Sequence, residues 1–174
     1  VGLEALRGSS DGSPLSGANN TAVGQEALKL NTTGYSNTAV GQEALDGNTT
    51  GNNNTAVGYE ALKTNSTASS NVAVGRHAGY AISTGSDNTC LGYNSGNAIS
   101  TGGINVVIGS NTAPNLTTGT RNVYIGYEVQ PANGSDTLMI GSGNETHSGN
   151  FTNHGFIGPG TSSGGYGGMY QGNN

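Results

Sequence analysis

The nonapeptide NTAVGQEAL occupies Asn20–Leu28 and returns at Asn37–Leu45, and NTAVGYEAL follows at Asn54–Leu62. The glycine closing each apolar triplet stands at Gly2, Gly24, Gly41, Gly58, Gly75, Gly92, Gly109, Gly126, Gly141 and Gly158, in steps of 22, then 17 six times, then 15, then 17. A fixed period of this length marks a chain that builds one supersecondary unit per repeat and stacks the units. The unit reads N-T-A-V-G-x-x-A-L-x-x-N-T-T-G-x-x. The long first step places an insertion near residues 8–19, within RGSSDGSPLSGAN. The short step falls around Gln130–Asp136, where Pro131 sits.

Each unit holds one short strand. The column before the glycine is Val23, Val40, Val57, Val74, Leu91, Ile108, Ile125, Ile140 and Ile157, apolar throughout. Two residues earlier stand Thr21, Thr38, Thr55, Val72, Thr89, Val106, Val123 and Leu138. Between them runs Ala22, Ala39, Ala56, Ala73, Cys90, Val107, Tyr124, Met139 and Phe156. Alternate strand residues face opposite sides. The expectation is therefore a core column Val23–Ile157 on the inner face, with the small Ala column turned outward. Gly in every unit and β-branched residues in every strand argue against helix. Asn opens the units as Asn20, Asn37, Asn54, Asn71, Asn88, Asn105 and Asn122. Coils stacked at about 4.8 Å bring these amides into a structural ladder. The fold class read from the residues is all-β, a parallel solenoid of 17-residue coils.

Composition fits a thin core: 32 Gly, 9% charged residues and no Trp leave little for a thick two-layer domain. Net charge of −5, without a Lys/Arg run, speaks against a nucleic-acid partner. Apolar runs of a few residues exclude insertion into a membrane as a helix. The single Cys90 excludes an internal disulfide framework.

The motif N-T-A-V-G-x-x-A-L resembles the head repeat of YadA-type trimeric autotransporter adhesins, and equally the related repeats of bacteriophage tail fibres. The resemblance covers Val1–Gly158. It implies a left-handed parallel β-roll, one coil per repeat, with three chains side by side as a homotrimer. It also implies an extracellular location, on a virion surface or a bacterial cell surface, and attachment to something. Thin coils give trimerisation a physical reason, since a lone roll buries little apolar area against its chain entropy. The Ala column is the expected contact between chains.

The division expected is residues 1–158 as repeat roll, about ten coils, and 159–174 as a Gly-rich C-terminal cap, linker or tip. The opening VGLEAL is the second half of a unit, so a segment of a longer protein is expected. No catalytic constellation emerges: there is no G-x-S-x-G elbow, no Walker lysine and no zinc spacing. No enzyme activity, cofactor or metal is therefore assigned. His154 on a threefold axis is the one candidate ligand, with a solvent-facing imidazole the preferred reading. Cys90, in the Ala column, reads as a small buried thiol. Glu4, Glu26, Glu43, Glu60 and Glu128 share a column, and Arg7, Lys29, Asp46 and Lys63 another. An ion-pair ladder is expected there, a cation site being the alternative.

The functional expectation is a structural and adhesive segment of a trimeric phage tail fibre, binding a host cell-surface glycan or protein. The head of a bacterial trimeric adhesin is the neighbouring alternative, and an ice-binding solenoid the third. Receptor-binding candidates are Tyr166, Met169 and Tyr170 in the Gly-rich end, where Tyr offers large contact area at low entropy cost.

Overall fold

The computed structural model describes residues 2–6 and 17–142. Eight short strands run in chain order: β1 (Thr21–Val23), β2 (Thr38–Val40), β3 (Thr55–Val57), β4 (Val72–Val74), β5 (Thr89–Leu91), β6 (Val106–Ile108), β7 (Val123–Tyr127) and β8 (Leu138–Ser142). They form one parallel sheet, each strand paired to the next. Register follows the repeat, with Thr38 opposite Thr55, Ala39 opposite Ala56 and Val40 opposite Val57. The described residues are a parallel β-solenoid of about seven coils of about 17 residues, without helix.

Three-residue strands carry few ladder bonds, so the turns must stack as well. They do: Leu45 N–H donates to Ala61 O at 3.0 Å, Glu60 N–H to Gln42 O at 2.9 Å, and Thr49 N–H to Ser66 O at 2.9 Å. The coil bends at left-handed corners, for example Ser36 (φ 55), Glu43 (φ 57) and Leu45 (φ 52). Such a conformation costs a non-glycine residue about 1 kcal/mol, and neighbouring coils must hold it in place. At the end of each strand the demand is stricter. Gly58 has φ 136, and a Cβ there would lie 2.5 Å from Gly75 O of the next coil. This is why the apolar triplet is always followed by Gly.

The two faces of the strand are the reverse of the sequence expectation. The middle column points into the coil: Ala39, Ala56, Ala73, Cys90, Val107 and Tyr124 are fully buried. The assigned core column points outward. Val23 and Leu91 are each 45% exposed, and Val40, Val57, Val74, Ile108, Ile125 and Ile140 are only partly buried. Ile157 and Phe156 lie outside the described residues. The physical reason is the opposite wall. Leu28, Leu45 and Leu62, each fully buried beside Ala27, Ala44 and Ala61, fill the interior. Only a methyl-sized side chain fits between them and the strand, so Ala goes in and Val goes out.

Further along the chain the interior is rebuilt. The Leu62 position becomes Gly79, Gly96 and Ala113, while the Asn65 position becomes Ile82, Ile99 and Leu116, all fully buried. Over the same coils the inward strand residue grows from Ala73 to Cys90, Val107 and Tyr124. One large side chain per coil is thus supplied from a different point on the wall, and Gly takes the left-handed corner (φ 57 at Gly79) that Leu held before.

Candidate functional site

The Asn column forms a continuous ladder. Asn37 Oδ1 accepts the backbone N–H of Asn54 at 2.9 Å, and Asn37 Nδ2 donates to Gly51 O at 2.8 Å. The pattern runs from Asn20 through Asn54, Asn71, Asn88 and Asn105 to Asn122, which receives Thr137 N–H at 2.9 Å. Each amide therefore closes one turn and ties two coils, which is how a buried polar side chain is satisfied.

Two further ladders went unread in the sequence. Asn48 Nδ2 donates to Asn31 Oδ1 at 2.8 Å, and Asn65 Nδ2 to Asn48 Oδ1 at 3.3 Å. Hydroxyls of Thr32, Thr49, Ser66, Ser83 and Ser100 each donate to the carbonyl of the equivalent residue one coil on, at 2.9–3.2 Å. Both signals were present as columns at the repeat spacing.

Four members of the Glu column, Glu4, Glu26, Glu43 and Glu60, are neutralised by lysine rather than left to repel. Lys29 Nζ stands 3.2 Å from carboxylates of both Glu4 and Glu26, and Lys63 Nζ 2.6 Å from those of Glu43 and Glu60. The two neighbouring carboxylates raise the Lys63 ammonium well above its ordinary range. Asp46 belongs to neither pair. Burial holds its carboxyl above the usual range, and its Oδ1 is buried without a hydrogen-bond partner. Among the described residues no group of three or more His, Cys, Asp and Glu is placed to hold a metal ion.

Cys90 is fully buried, and burial pushes its thiol up to about 12, so it is an inert core group. Tyr166, Met169, Tyr170 and His154 lie outside the described residues, as do most of the insertion near 8–19, up to residue 16, and the Gly-rich end.

What the described surface offers is of two kinds. The first is the outward sheet face. Its two columns, Thr21 to Leu138 and Val23 to Ile140, form an unbroken stripe over eight strands, more apolar toward β8 as Thr gives way to Val106, Val123 and Leu138. The second is an aromatic ridge at the turn after β3, β4 and β5. Arg76 lies between the rings of Tyr59 and Tyr93, its Cζ 5.5 and 5.6 Å from their centroids. His77 sits 5.5 Å from both Tyr59 and Tyr80. Comparison with protein-family models, with curated proteins and with solved structures returns no match. The candidate sites therefore rest on this geometry alone.

Proposed function

We propose that the chain is a structural and adhesive segment of a trimeric fibre, a phage tail fibre in the first instance, that mediates or supports attachment to a host cell surface. In this reading the coil is left-handed, and three rolls stand side by side with their outward sheet faces turned to a common axis. The observation that carries it is the stripe Val23, Val40, Val57, Val74, Leu91, Ile108, Ile125 and Ile140, outward-facing on the single chain, with Val23 and Leu91 exposed and the rest partly buried. Continuous apolar stripes of this extent mark surfaces that another protein covers. The contact between chains thus moves from the Ala column to the Val/Ile column. The repeat's resemblance to trimeric adhesin heads supports the threefold arrangement and a virion or cell-surface location. A bacterial adhesin head would use the same architecture.

The ice-binding reading draws on the regular turn column Thr33, Thr50, Thr67, Thr84, Thr101 and Thr118, exposed throughout. It is weakened because the adjacent hydroxyls of Thr32, Thr49, Ser66, Ser83 and Ser100 are spent on carbonyls of the next coil, which leaves no paired Thr face.

Attachment by a trimer works through avidity, because weak sites engage together. The test is retention on bacterial and animal cells of the parent chain and of Val57→Glu, which places a charge on the stripe without touching the interior. The parent should bind one surface, and the variant should bind it at least about tenfold less. Absence of binding to every surface tried would overturn the adhesive part.

A further inference from the structure

We propose that Tyr59, Arg76 and Tyr93 form a binding site for a carboxylated saccharide, an oligosaccharide carrying uronic-acid units. The inference deepens the attachment reading by naming the chemistry of what is bound, and it rests on that reading only for its biological setting.

Arg76 is unusual in its charge environment. Among the described residues, Lys29, Lys63 and Arg121 each stand against a carboxylate. Arg76 has none, in a chain with ten Asp and Glu against five Lys and Arg. The carboxylate of Glu60, one coil back, is already engaged by Lys63 at 2.6 Å and faces His77 Nε2 at 2.7 Å. Column neighbours of Arg76 are Gln42, Tyr59, Tyr93 and Ser110, none of them acidic.

The guanidinium is nonetheless held. Two tyrosine rings flank it, with its Cζ 5.5 and 5.6 Å from their centroids, and its Nη1 donates to Tyr93 Oη at 3.3 Å. A ring on each side and one N–H bond to Tyr93 position the group, and its remaining N–H donors are open to a planar, bidentate anion. Both tyrosines stay open to solvent, Tyr59 at 38% and Tyr93 at 44%. They stand two coils apart, about 10 Å. A carboxylate on the guanidinium edge, with pyranose C–H faces against the flanking rings, satisfies all three residues at once. An acidic peptide fits less well, because it would seek several cations and Lys63 is already committed.

The test is calorimetric titration of the intact chain with trigalacturonate, its neutral methyl ester and tetraglutamate, on the parent, Arg76→Lys and Tyr93→Ala. Trigalacturonate should bind the parent, and affinity should fall about tenfold in Arg76→Lys, which keeps the charge but loses the fork. Tyr93→Ala should weaken it as well, and the methyl ester and tetraglutamate should not bind. Thermal melting within a few degrees of the parent would certify that Arg76→Lys is folded. No heat with trigalacturonate, equal binding in both variants, or equal binding of tetraglutamate would each overturn the site. A trimer that ignores trigalacturonate would remove this site and leave the fibre reading standing. A monomer that binds it through Arg76 would do the opposite.

Discussion

A Cβ built on Gly79 would lie 3.0 Å from Cδ1 of Ile82, so the isoleucine occupies the space that a leucine at the Gly79 position would need. One coil earlier the same two places hold Leu62 and Asn65. The interior therefore has two interchangeable fillings.

That relationship predicts strong coupling. Gly79→Leu alone should destabilise by about 1–3 kcal/mol through overpacking. Ile82→Asn alone should also destabilise, by opening a cavity. Together they recreate the Leu62/Asn65 coil and supply a partner for Asn65 Oδ1, which is now buried without one. Denaturant titration of the four proteins should give a double variant more stable than the sum of the singles by at least about 1 kcal/mol. Simple additivity would refute the exchange.

The two Asn ladders should differ in sensitivity. Asn71 accepts from Asn88 N–H at 2.9 Å and donates to Gly85 O at 2.9 Å, so Asn71→Ala orphans two buried backbone groups. A loss of about 2–4 kcal/mol is expected. Asn65 makes longer bonds, 3.3 and 3.2 Å, and carries an unpartnered oxygen. Asn65→Ala should cost less than half as much in the same denaturant assay.

Asp46 gives a pH dependence of opposite sign to a paired carboxylate. Burial, the largest cause, raises its folded pKa above the unfolded one, and the ionised form is disfavoured in the folded chain. Its contribution is thus unfavourable above the folded pKa and vanishes below the unfolded one. Asp46→Asn should raise stability at neutral pH, by less than about 1 kcal/mol because solvent screens the half-exposed group. The gain should fade as pH drops through the carboxylate range. A gain that persisted unchanged at low pH would point to some cause other than charge.

Much of the architecture could be read from the period. Equal steps between glycines located β1 to β7, the apolar triplet before Gly141 located β8 after the short step, and the Asn20–Asn122 column named its own ladder. The orientation of the strand could not be read from Thr-Ala-Val, because a three-residue strand offers one alternation and hydrophobicity alone sends valine inward. The deciding signal lay elsewhere in the unit. The buried series Leu28, Leu45 and Leu62, passing to Ile82, Ile99 and Leu116, already fills the coil, and the middle column enlarges as those leucines disappear. Arg76 between Tyr59 and Tyr93 was equally hidden, since it breaks its column instead of repeating it.

The account stands or falls on what covers the outward face of β1 to β8. Light scattering or sedimentation equilibrium of the purified chain measures this without any partner. Three chains joined through the Val23–Ile140 stripe should give three times the 17.3 kDa mass of one chain, constant on dilution through the micromolar range. A folded species with the mass of a single chain would contradict it.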